Sequence, residues 1–171
     1  MLQALKSFLN ELGGGAAPRQ RAFESSDYRL AAAALLVHLA SIDGEFDDKE
    51  KARLQQVVEA RFGLDYREAR ELIENAWESE REAVDLFRFT SVLKRTLDEQ
   101  GRREVVAMLW DMAYADGTVH EFEENVVWRV AELLGVSTRD RVGLRQDAKG
   151  GTKDDAAGVD ARPTSGPWSK V

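Results

Sequence analysis

Apolar residues recur along this chain at helical spacing, and no stretch alternates in the manner of a strand. Residues 30–42, LAAAALLVHLASI, are apolar on every side except at His38 and Ser41. A helix without a polar face belongs in the middle of a bundle. Asp43-Gly44 ends it, and a second helix opens at Asp47 with a stripe of Leu54, Val57, Val58 and Phe62 before Gly63 closes it. A third is expected from Tyr66 to Glu78, with Asp65 as N-cap and Glu68 three residues on as the partner of a capping box. A fourth covers about 81–97, with Val84, Phe87, Val92 and Leu93 marking its inner side.

The pattern then returns. REVVAMLWDMAYA at 103–115 is a second near-apolar helix, ended by Asp116-Gly117. A helix over about 121–134 follows, with Val126, Val127, Val130, Leu133 and Leu134, closed by Gly135; Ser137 caps a last short helix to about Gln146. An offset of 73 residues lays Asp43 on Asp116, Gly44 on Gly117, Phe46 on Val119, Glu50 on Glu123, Leu54 on Val127 and Val57 on Val130. Upstream, Leu36 meets Leu109 and Ala40 meets Ala113. After one residue of slippage, Phe62-Gly63-Leu64 meets Leu134-Gly135-Val136. Such self-similarity marks a duplicated unit. The expectation is an all-α, compact bundle of about seven helices, built from two pseudo-twofold-related helix–turn–helix halves.

The flanks differ from this body. Residues 1–12 place Leu2, Leu5, Phe8, Leu9 and Leu12 on one face of a short amphipathic helix. Residues 13–25, with three consecutive glycines and Pro18, read as a flexible linker to the helical domain at 26–147. Residues 148–171, rich in Gly, Asp, Ser and Pro, have little to bury and read as a disordered tail.

Composition narrows the chemistry. Of 171 residues, 43% are hydrophobic and 32% charged, which is ordinary for a globular protein. The net charge of −7 repels phosphate backbones, so nucleic acid is not an expected partner. The chain has no cysteine, which excludes disulfides and thiolate metal sites, and its two histidines exclude a multi-histidine centre. A bound metal would be a hard divalent cation such as Ca²⁺, Mg²⁺ or Mn²⁺, held by carboxylates. No apolar run approaches the roughly 20 residues that span a bilayer, and MLQALKSFLNEL lacks the apolar core and cleavage site of a secretory signal. A cytoplasmic location without direct membrane insertion is expected.

Both turns read D-G-x-apolar-x-x-x-E: DGEFDDKE at 43–50 and DGTVHEFE at 116–123. This is the second half of an EF-hand loop, where glycine permits the sharp turn and the later glutamate is a ligand. The first half is missing: Leu39 and Ser41 stand where the loop needs carboxylates in one copy, Met112 and Tyr114 in the other. A standard EF-hand is excluded. A weak or shared site made of Asp43, Glu50, Asp116 and Glu123 is one reading. The other is structural: Asp47 to Glu50 and His120 to Glu123 have capping-box spacing, and carboxylates in a first turn interact well with the helix dipole.

The segments LAAAALLVHLASIDGEFDDKEKARL, EAVDLFRFTSVL and VVAMLWDMAYADGTVHEFEENVVWRVAELLGVSTRDRVGLRQ resemble the TerB-like family of tellurite resistance proteins, over about residues 25–146. The resemblance implies an all-helical fold of two related halves and an acidic metal site, which by position falls on Asp43, Glu50, Asp116 and Glu123. It also implies a link to tellurite or other stress, with stress-response proteins and membrane-protein complexes as partners. The second turn carries Thr118 and His120 where the first carries Glu45 and Asp47, so the half-sites are unequal. Elsewhere, His38 and Asp111 hold equivalent places and could pair across the pseudo-twofold axis. Trp128 falls off the valine–leucine stripe of its helix and is the candidate partner contact. No catalytic residue is assigned. The expected function is a non-enzymatic module that binds a divalent cation and partner proteins; the alternatives are a metal-independent interaction scaffold and, last, a carboxylate-metal hydrolase.

Overall fold

The structure, a computed structural model, describes residues 23–42, 44 and 46–154, the side chains of 151–154 excepted. The helix expected at 1–12, most of the linker and the end of the chain lie outside these residues. Within them the chain forms α1 (Tyr28–Ala40), α2 (Asp48–Phe62), α3 (Tyr66–Glu82), α4 (Phe87–Thr96), α5 (Glu99–Ala113), α6 (Glu121–Leu133) and α7 (Thr138–Asp154), and no strand.

Each start has a local cause. Asp27, Asp47, Asp65 and Asp98 are N-caps whose carboxylates accept from backbone amides two or three residues on. This satisfies donors that the first turn of a helix leaves open. Asp98 places the start of α5 a turn ahead of the apolar run that announced it. Leu36 and Leu109, Val37 and Trp110, and Leu54 and Val127 are all fully buried, as helices central to a bundle require.

Packing bears out the duplication and extends it. After α2 and α6 the one-residue slip leaves Asp65 opposite Ser137, and α3 and α7 are each 17 residues long. Glu68 N donates to Asp65 at 2.9 Å, and Asp140 N donates to Ser137 Oγ at 3.2 Å. Three helices therefore repeat, α1–α2–α3 and α5–α6–α7, with α4 inserted between them. The contacts follow the exchange: α1 packs on α3 as α5 packs on α7, α2 reaches α5 as α6 reaches α1, and α1 meets α5 at the centre. That reciprocity is what a pseudo-twofold axis between the halves demands.

Three expectations change. The single helix expected over 81–97 is broken: α3 runs on to Glu82, and the Asp85 carboxylate accepts from Phe87 N at 3.0 Å to start a new helix. The break shifts the phase of α4, so Val84 is 100% exposed and Phe87 64% exposed, and Phe89, Thr90, Val92 and Leu93 form the buried face instead. The last helix continues past Gln146 to Asp154. Phe23, placed in the linker by composition, is buried with the Arg29 guanidinium 4.8 Å from its ring centroid.

His38 and Asp111 do not pair with each other. Each turns to a flanking helix: His38 Nδ1 lies 3.0 Å from Glu80 Oε1 in α3, while Asp111 accepts from Arg61 Nη2 in α2. Arg61 also donates to Glu104 at 3.1 Å, so one guanidinium joins the halves through two carboxylates.

Candidate functional site

The Asp-Gly turns are duplicates in backbone as well as in sequence. Helix α1 ends with Ser41 N donating to Val37 O at 3.0 Å, and α5 with Tyr114 N donating to Trp110 O at 2.9 Å. Ile42 N then reaches Leu39 O at 3.4 Å, and Ala115 N reaches Met112 O at 3.2 Å. Gly44 N donates to Ser41 O at 3.1 Å, and Gly117 N to Tyr114 O at 2.9 Å. Gly44 has φ 79° and Gly117 φ 80°, a region that disfavours any residue with a Cβ. A Cβ built at either glycine meets nothing within 4 Å, so the requirement is conformational and not one of space. Gly117→Ala should therefore lower stability by about 1–2 kcal/mol, read as a shift of the urea midpoint at unchanged slope; an unchanged midpoint would overturn this reading of the turn.

Beyond each glycine an apolar residue packs inward. The Phe46 ring meets Trp77 edge to face, with centroids 5.0 Å apart, and Val119 packs on the core in the second copy. The next helix then starts with a reciprocal cap. Glu50 N donates to Asp47 Oδ1 at 2.8 Å, and Asp47 N donates to Glu50 Oε2 at 3.1 Å. In the second copy His120 N donates to Glu123 Oε2 at 3.1 Å. Glu50 and Glu123 thus each use a carboxylate oxygen to hold a helix start. The structural alternative raised by their spacing is present at both places.

Of the remaining expected ligands, Asp116 is exposed on its turn, and Asp43 lies outside the described residues, as does Glu45. Among the described residues no group of three or more histidine, aspartate and glutamate side chains is arranged to hold a metal ion. Glu121, Glu123 and Glu124 all fall in the first turn of α6.

Trp128 is half-buried and does not stand off the body. Its ring packs edge-on against Trp110, with centroids 5.8 Å apart, and its Nε1 donates to Glu124 Oε1 at 3.2 Å. The same carboxylate oxygen lies 2.9 Å from Arg145 Nη2. Arg145 Nε donates to the Tyr114 hydroxyl at 3.4 Å, the main cause of a guanidinium pKa raised above its ordinary value. Glutamate and arginine thereby tie α6 to α7 over an aromatic cluster. Sequence periodicity missed this arrangement because Arg145 comes from α7, which has little apolar signal of its own. No helix among the described residues is long and apolar enough to cross a membrane.

No curated protein and no solved structure matches the chain significantly. The family model of tellurite resistance protein TerB matches residues 29–146, from the start of α1 into α7 and across both turns. Since that match covers both halves of the duplicated bundle and most of the chain, the protein belongs to the TerB family.

Proposed function

We propose that this TerB-family chain is a non-enzymatic binding module of a tellurite-resistance or related stress system, acting in the cytoplasm. It takes up a divalent cation, Ca²⁺ or Mg²⁺, at its acidic turns and engages partner proteins, among them stress-response proteins and membrane-protein complexes. The supporting observation is the shared geometry of the turns: the same hydrogen bonds, and glycine φ values of 79° and 80°, each passing the chain from a buried helix into an acidic first turn. Oxygen ligands on sharp turns suit hard cations. With Glu50 and Glu123 engaged in caps, this reading gives Asp43 and Asp116 the decisive part.

A metal-independent interaction scaffold is the second reading, and the capping interactions favour it, because they explain both glutamates without a cation. Amide NMR of the full chain separates the readings. Titration with Ca²⁺, Mg²⁺, Mn²⁺ and Zn²⁺ is expected to move or broaden resonances confined to Gly44, Gly117 and their neighbours for at least one of the hard cations. Asp43→Asn with Asp116→Asn should abolish that response and leave the remaining spectrum in place. A flat titration, or diffuse shifts over the acidic surface, would remove the cation and leave the scaffold.

A further inference from the structure

Helix α4 is the element that the duplication does not account for. Its charged residues are all cations, Arg88, Lys94 and Arg95, in a chain of net charge −7. All three are exposed, and none forms an ion pair among the described residues. Phe87, Thr90, Ser91, Lys94 and Arg95 recur at i, i+3, i+4, i+7 and i+8, and together with Leu133 of α6 they line a groove of about 320 Å³. Thr90 is buried, with its Oγ1 bonded to Leu86 O and Phe87 O, so the apolar surface of the groove comes from the exposed Phe87 ring and the half-buried Leu133, beside the cations Lys94 and Arg95. Leu133 is half-buried and apolar beside α4.

We propose that this groove docks an acidic amphipathic helix of a partner protein. The strip from Phe87 to Arg95 is about 12 Å long, the span over which a helix laid in a groove presents its i, i+3 and i+7 anchors, with Phe87 and Leu133 to receive the apolar ones. Carboxylates flanking those anchors would meet Lys94 and Arg95, which have no ion-pair partner among the described residues. A polyanion such as nucleic acid is disfavoured by the net charge of the chain, whereas a short segment responds to cations within the screening distance of roughly 8 Å at physiological salt. None of these residues belongs to the Asp-Gly turns, so the inference stands whether or not the turns hold a cation.

The test is fluorescence anisotropy of the full chain with a labelled amphipathic peptide carrying leucines at i, i+3 and i+7 and glutamates between them. Saturable binding that weakens as salt rises is expected. Phe87→Ala should weaken it roughly thirtyfold, as loss of an aromatic anchor does, and Lys94→Glu with Arg95→Glu at least about tenfold. These side chains are exposed, and an unchanged unfolding midpoint checks that the variants fold. Absence of saturable binding, equal binding of the peptide with lysines in place of glutamates, or indifference to both variants would overturn the proposal. So would phosphatidylserine vesicles that bind wild type but not the charge-reversed variant while the peptide fails, since the face would then belong to a membrane. Asp43→Asn with Asp116→Asn should leave peptide binding unmoved, which keeps failure here distinct from failure of the cation reading.

Discussion

Trp110→Ala is expected to lower the unfolding free energy by about 3–5 kcal/mol, out of the roughly 5–15 kcal/mol typical of a whole domain. Trp110 is the largest of the fully buried side chains. Its ring lies 5.8 Å from both Tyr114 and Trp128, centroid to centroid, and the Arg145 guanidinium sits 5.9 Å from its centre. The pseudo-equivalent residue in α1 is Val37, also fully buried but much smaller. The indole N–H is buried without a hydrogen-bond partner among the described residues, so the contribution of Trp110 is one of packing. Trp110→Phe removes that unpaired donor, whose burial costs about 1–3 kcal/mol, and this offsets much of the lost volume. Urea unfolding should therefore place the phenylalanine variant near wild type and the alanine variant far below it. A loss under about 1 kcal/mol for alanine, or equal losses for both, would contradict the packing account.

The duplication is legible in the sequence because its marks are of kinds that sequence preserves: a glycine that must take φ near 80°, an apolar run without a polar face, and an N-cap with a glutamate three residues on. The break between α3 and α4 was not legible, because apolar spacing continues through Ala83, Val84, Leu86 and Phe87. Residues 83–86 separate the helices, and the one side-chain bond that starts the second comes from Asp85. The polar pairs were out of reach for a different reason. Equivalence of His38 and Asp111 under the repeat says that they occupy like places, but their partners Glu80 and Arg61 come from different flanking helices. At the candidate site the sequence located both turns and raised both explanations for their glutamates. It did not show that Glu50 and Glu123 hold their own helix starts, because spacing alone cannot tell a capping carboxylate from a ligand.

Arg61 carries the second large expectation, since it joins the halves at one edge only. Its guanidinium bridges Glu104 and Asp111 of α5 from the last turn of α2, and the three side chains are 20%, 24% and 27% exposed. No such bridge can form at the related edge, where α6 ends in Leu133 and Leu134. Arg61→Met would leave two carboxylates on one helix face without their shared cation. Removing one partner of a fully buried ion pair costs about 3–5 kcal/mol; partial exposure here lets water answer some of that charge, and a loss of about 2–3 kcal/mol is expected. Most of this loss is the penalty of stranded charge. Adding Glu104→Gln and Asp111→Asn to Arg61→Met should therefore restore stability relative to the single variant, even though more native contacts are gone. Urea unfolding of the single and triple variants at neutral pH measures the difference. If the triple variant were the less stable of the two, the contacts themselves would hold the halves together, and Arg61 would act as direct attraction across the interface, not as compensation for the carboxylates that α5 brings there.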